Sequence, residues 1–122
     1  MGALKPPSAG CPCFQVNTVL QNPNVETRKK LIREADGFAS VMPTDKMEVV
    51  LALQAQDFVT GFSGDGVNDV PALSAAETGV AVHGATDAAN AVADLQLLSP
   101  GLSAIYTAIV ESRKIFRRLK AP

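Results

Sequence analysis

Asp65 and Asp69 stand in one short segment, Ser63-Gly64-Asp65-Gly66-Val67-Asn68-Asp69, close enough to serve a single centre. Two hard carboxylates in one loop suit Mg2+, which takes one or two of them and completes its octahedron with water and substrate phosphate oxygens. Asn68 lies between them in sequence. Its amide can donate to a phosphoryl oxygen without adding a repelling charge. Gly64 and Gly66 let the backbone turn sharply and approach a ligand. A bare Gly-Asp-Gly would read as a turn whose acids cap the next helix. Two acids, an amide and two glycines in six residues point instead to metal and phosphate.

Such a loop needs a rigid frame, and the flanking pattern supplies one. Val25 to Ala35 is rich in helix formers and ends before Gly37, where a helix C-cap belongs. Phe38 to Met42 reads as a short buried strand stopped by Pro43. Thr44 then offers an N-cap for a helix whose stripe is Met47, Val50, Leu51 and Gln54. Phe58 to Phe62 predicts a strand that runs straight into the glycine loop. Beyond it come a short helix over Pro71 to Ala76, a strand over Val80 to Val82, a helix capped by Thr86 and running through Ala93, and a strand over Leu95 to Leu98. A long amphipathic helix follows from Leu102 to Lys120. Strands and helices that alternate, with strands written as short continuous apolar runs, predict an α/β fold with a mostly parallel sheet. The loop would then lie beyond the carboxyl end of a strand, where open α/β sheets bind ligands.

Gly64-Asp65-Gly66-Val67-Asn68-Asp69, continued by Pro71-Ala72-Leu73, resembles the hinge signature of P-type ATPases in the haloacid-dehalogenase-like superfamily. Many phosphatases of that superfamily share the Gly-Asp-Gly-x-Asn-Asp loop, whereas the Pro-Ala-Leu continuation is more typical of the pumps. The resemblance runs from about Ala35 to Lys120. It is strongest to the plasma-membrane proton-pump branch, through Ala35-Asp36-Gly37-Phe38-Ala39, Ala85-Thr86-Asp87-Ala88-Ala89, Pro100-Gly101-Leu102-Ser103 and Ser112-Arg113-Lys114-Ile115-Phe116.

The resemblance implies an incomplete Rossmann-like parallel sheet with flanking helices. Residues 1–24 would be a flexible lead-in rich in proline, 25–101 part of a phosphorylation domain, and 102–122 a basic stalk helix. It makes Asp65 a metal ligand, and Asp69 both a ligand and the group that orients the attacking water. Asn68, with Ser63 and Gly64, would face the phosphoryl group. Lys46, in Pro43-Thr44-Asp45-Lys46, falls where the family places the lysine that neutralises an aspartyl-phosphate. Taken alone, Lys46 would be an ordinary exposed helix lysine. Phosphoryl transfer does require cations around the equatorial oxygens. Ser63 replaces the usual threonine and Val70 the usual alanine, and neither change removes a ligand.

The implied function is that of a P-type ATPase fragment that couples ATP hydrolysis to cation transport, with protons as the cation. Its cofactor would be Mg2+, and its partners the ATP-derived phosphoryl group and the remaining pump domains or membrane helices. Its place would be the cytosolic face of a membrane, the plasma membrane by likeness. The family's nucleophile lies in an Asp-Lys-Thr-Gly-Thr segment that these 122 residues lack, and Asp45-Lys46-Met47 does not match it. The isolated chain is therefore expected not to turn over ATP. Two other readings are a non-catalytic module that docks on a full-length pump through open sheet edges, and a truncated phosphatase of the same superfamily.

The remaining features bound these readings. A net charge of -1 gives no global reason for a nucleic-acid partner. The basic residues Arg113, Lys114, Arg117, Arg118 and Lys120 share one helix end, where they suit the helix dipole. Aromatic interleaving beyond Phe116 is missing, which also argues against nucleic acid. Cys11, Cys13 and the distant His83 are too few to hold a metal, and the two thiols read as free. No apolar run approaches the roughly 18 residues of a membrane span. Lys5 and several prolines interrupt any signal-peptide core.

Overall fold

Short apolar runs and helix formers alternate in the chain, and the computed structural model, which describes residues 13–121, alternates strands and helices in the same order. The strands are β1 (Cys13–Gln15), β2 (Gly37–Ala39), β3 (Gly61–Gly64), β4 (Thr78–Ala81) and β5 (Leu95–Gln96). The helices are α1 (Val16–Leu20), α2 (Val25–Glu34), α3 (Pro43–Gln54), α4 (Val70–Ala75), α5 (Asp87–Val92) and α6 (Ser103–Lys120). A 3-10 turn at Val67–Asp69 joins the glycine loop to α4. All strand pairings are parallel, as the α/β expectation requires.

The strands fall into two ladders. β1 pairs with β2, placing Phe14 opposite Phe38. β3, β4 and β5 form a second sheet in that order, with Phe62 opposite Gly79 and Val80 opposite Leu95. Among the described residues no ladder joins the two sheets. The far edge of β3 is therefore open toward β2 and α3. An apolar groove of about 500 Å³ lies there, lined by Phe38, Val50, Leu53, Val59 and Phe62 together with Lys46.

The core is made of small aliphatic side chains. Val50 of α3 packs with Ala72 of α4 and with Ala76, and Phe62 and Ala75 close over them. Leu73, Ala81 and Ala89 are likewise buried. These contacts bring α3 and α4 side by side over one face of β3 and β4.

Several boundaries differ from the sequence expectation, among them β2, expected over Phe38 to Met42 and found at Gly37–Ala39, where Ser40 turns the chain with a left-handed φ of 59°. Within the lead-in expected through residue 24, Cys13–Gln15 form β1 and Val16–Leu20 form α1, whose Val16 and Val19 are fully buried. Residues 1–12, including Cys11, lie outside the described residues, and Cys13 is a half-buried free thiol. Pro43 opens α3 rather than merely stopping a strand, so Thr44 is not its cap. Met42 is the cap residue, and the Asp45 carboxylate accepts from its N–H at 2.9 Å. β3 begins at Gly61, not Phe58, because residues 55–58 close α3. Asp57 takes a left-handed φ of 65°, its N–H donates to Gln54 O, and the Phe58 N–H donates to Leu53 O. β5 ends at Gln96, leaving Leu98 exposed.

α2 closes at Ala35, not at Gly37, which instead opens β2, while Thr86 caps α5 as expected. Asn24 caps α2 by accepting from the Thr27 N–H, and Thr86 caps α5 by accepting from the Ala89 N–H. α6 carries no buried residue, and Tyr106, Ile115, Phe116 and Leu119 on it are exposed. No helix among the described residues is long and apolar enough to cross a membrane.

Candidate functional site

The glycine loop is held from both sides before any side chain acts. The Val82 N–H donates to Gly64 O, and the Thr86 N–H donates to Asp65 O at 2.8 Å. Val82 directly follows β4 and Thr86 caps α5 beyond it, so the loop sits past the strand ends, as the α/β reading anticipates. The Asp69 N–H then donates to Gly66 O and forms the 3-10 turn.

Asp69 is the hub. One carboxylate oxygen, Oδ2, accepts from the N–H groups of Asp65 at 3.0 Å and Gly66 at 3.2 Å. The other, Oδ1, accepts from Lys46 Nζ at 2.6 Å. The residue is only 6% exposed. Burial alone pushes its carboxyl up. The Lys46 hydrogen bond, the two backbone N–H groups and the Lys46 charge outweigh that, holding it below its ordinary 3.8. Asp69 is therefore ionised and shapes the loop around itself.

Gly64 makes this folding-back possible. A Cβ there would lie 2.5 Å from the Asp69 Cβ, so no larger residue fits without displacing the carboxylate. Gly66 is different. Its φ is -124° and a Cβ would meet nothing closer than 4.0 Å, so the two glycines are not equivalent as the sequence alone suggests.

Lys46 reaches Asp69 from the first turn of α3, 23 residues earlier in the chain. Asp65 and Asn68 are exposed at the loop surface, and neither side chain is engaged in a hydrogen bond among the described residues. Ser63 is exposed on β3 and lines a groove that faces α6, along with Val80, Ile105 and Arg113. The structure thus brings Lys46, Asp65, Gly64, Asn68 and Asp69 to one loop and gives Ser63 no hydrogen bond to the Lys46–Asp69 pair. His83 lies on an exposed turn before Gly84.

Whether Mg2+ fits follows from the donor set. Among the described residues no group of three or more His, Cys, Asp or Glu side chains could hold a metal. Mg2+ needs no such cage, and the free, exposed Asp65 carboxylate beside the ionised Asp69 is the few-ligand arrangement it takes. Asp69 has both oxygens committed to the loop and to Lys46. Were Mg2+ bound, Asp65 would offer it the outward oxygens, and Asp69 could join as a ligand only through lone pairs left by these hydrogen bonds.

Sequence reading missed a second polar cluster, formed by Gln54, Thr60 and Glu77, at the other end of α3. The signal was present. Gln54 occupies the position four after Val50 on the apolar stripe, where a polar group needs a buried partner.

Comparison with known proteins accords with this frame. Residues 52–109 match a family model described as haloacid dehalogenase-like hydrolase. A curated relative, the "Putative cation-transporting ATPase MJ1226" of Methanocaldococcus jannaschii, is 51% identical over 92 residues, which make up 75% of this chain and 11% of the relative. A solved structure of the catalytic domain of the CPx-ATPase CopB-B, described for its conformational changes upon nucleotide binding, superposes with a TM-score of 0.57 and 29% identity. That superposition covers 69% of this chain and 33% of the other. The chain spans about a tenth of the length of the curated relative it matches. With its parallel strands and flanking helices, the chain carries a haloacid dehalogenase-like domain, and its homologues include cation-transporting ATPases.

Proposed function

We propose that this chain is the metal- and phosphate-binding part of the phosphorylation domain of a P-type ATPase. Residues 25–101, with β1 and α1 packed before them, would form the domain part and α6 (Ser103–Lys120) the basic stalk helix. The observation that carries this reading is the Lys46–Asp69 contact of 2.6 Å, which gathers a cation, a buried carboxylate and the glycine loop at the ends of β3 and β4. Phosphoryl transfer asks a protein mainly for positioning and for cations around the equatorial oxygens, and this loop offers both. Asp65 would hold Mg2+, which when bound neutralises developing phosphoryl charge. Asn68 would donate to a phosphoryl oxygen. Asp69 would orient Lys46 and the loop amides, and with them a water aimed at the phosphoryl group. The cation is proposed to be the proton, from the stretches Ala35 to Ala39 and Ser112 to Phe116 that resemble proton pumps. The basic helix α6 would face the cytosolic side of the membrane, where positive charge is favoured.

The test is a titration of the isotopically labelled chain with Mg2+ and then inorganic phosphate, followed by NMR. Amides of residues 65–69 are expected to shift at millimolar metal, and Asp65→Asn is expected to abolish the shift. A loop that stays silent to both additions overturns the reading.

A second reading is favoured by the open edge of β3 and the apolar groove beside it. There the chain would be a non-catalytic module that lends this edge to a longer pump.

A further inference from the structure

α3 and α4 run side by side in the same direction. The first turn of α3 meets the N-cap of α4 at Lys46 and Asp69, and their last residues meet at Gln54 and Ala75. The second junction carries its own network. Gln54 Nε2 donates to Ala75 O at 2.7 Å, to Glu77 Oε2 at 3.0 Å and toward Thr60 Oγ1 at 3.2 Å, sharing its two hydrogens among them. Glu77 Oε2 also accepts from the Thr60 N–H at 2.7 Å and from the Thr60 hydroxyl at 2.6 Å. One carboxylate oxygen thus gathers three donors from the end of α3 and the residue before β3. Glu77 itself immediately precedes β4.

These bonds are charge-assisted, and they hold the acceptor in its ionised form. The Thr60 hydroxyl, the Thr60 N–H and the Gln54 amide lower the Glu77 carboxyl to about 2. Thr60 is 8% exposed, so the donors have few other partners.

The network fixes two coordinates on which the loop depends. The distance from Lys46 to Gln54 along α3 is about 12 Å at the helical rise, so an axial slip at one end is delivered intact to the other. Thr60 sets where β3 starts, and β3 ends at Gly64, the first residue of the loop. A slip of about 1 Å would take the 2.6 Å Lys46–Asp69 contact out of hydrogen-bonding range.

We propose that Glu77 is a positioning residue for the phosphate site: by clasping Gln54 and Thr60 it sets the axial register of α3 and β3, and so the meeting of Lys46 with Asp69. This rests on the reading of the loop as a phosphate and metal site, and the readouts below separate the two.

The full chain is compared with Glu77→Ala, Thr60→Val and Thr60→Ser, each at a temperature where far-UV circular dichroism reports full folding. The ligand-free readout is the NMR signal of the Lys46 ammonium and the amides of Asp65 and Gly66, which donate to Asp69. Glu77→Ala and Thr60→Val are expected to shift these signals and speed their exchange. Thr60→Ser keeps the hydroxyl and is expected to restore the wild-type pattern. The second readout is the affinity for inorganic phosphate with Mg2+, expected to fall about tenfold in the first two variants. If the folded variants lose stability while the Lys46, Asp65 and Gly66 signals stay unchanged, Glu77 only braces the fold and the proposal is overturned. A wild-type chain that binds neither ion overturns the phosphate reading instead, and the ligand-free signals still decide for Glu77. Should Glu77→Ala fail to fold, Thr60→Val, which removes one of the three donors, carries the comparison.

Discussion

Lys46 and Asp69 define the residue scale, because each is explicable only through the other. A buried carboxylate that loses its cation keeps its desolvation cost, and breaking such a pair destabilises more than the pair itself contributes. Lys46→Met is therefore expected to lower stability by about 2 kcal/mol at neutral pH, measured by urea unfolding. Its effect on pH dependence has a definite sign. In the wild type Asp69 titrates below 3.8, so its stabilising contribution is complete above that value and is lost as pH falls through the folded value. Without Lys46 the folded value moves up toward the ordinary 3.8, so the pH window of acid loss narrows from below and the stability lost on acidification becomes smaller. A carbon-detected titration of the Asp69 carboxyl checks this, and an unchanged midpoint would refute the pairing.

At the scale of elements, the glycine loop makes a sharper claim than its sequence did. Gly64→Ala places a methyl group 2.5 Å from the Asp69 Cβ and is expected to cost about 2 kcal/mol. Gly66→Ala meets nothing closer than 4.0 Å and should stay within about 0.5 kcal/mol of wild type. Thermal unfolding of both variants tests the contrast, and equal losses would contradict it. The same contrast shows what was legible beforehand. Helix α2 announced itself through its run of helix formers and α5 through its cap Thr86, and the loop announced itself through its acids and glycines, whereas the Asn24 cap of α2 emerged only in the structure. The start of β3 did not, because a non-glycine residue, Asp57, takes the left-handed turn that closes α3. Met42 has no capping side chain, so the start of α3 was equally hidden. Glu77 was invisible for another reason. Its partners lie 17 and 23 residues away, beyond any local pattern.

At the scale of the whole molecule, the open edge of β3 and the exposed apolar face of α6 dominate. Exposed strand edges and apolar patches of this kind mark surfaces that other chains cover. Val59, 85% exposed at the mouth of the groove, offers a probe of the docking reading. Co-purification of the tagged chain with a full-length cation-transporting ATPase is expected for wild type and should drop at least severalfold for Val59→Asp. Equal recovery of both, or of neither, would dismiss the docking module. α6 gives this scale its charge. Its last turn holds Arg117, Arg118 and Lys120, and Lys120 lies 5.3 Å from the centre of the Phe116 ring.

The split of the strands into two ladders also has a mechanical side. No backbone ladder spans β1–β2 and β3–β4–β5 among the described residues, whereas α3 packs on α2 toward one group and on α4 toward the other. Among the helices described, α3 is thus the one that leans on both groups, and a load placed between them would fall on the element that carries Lys46 to Asp69.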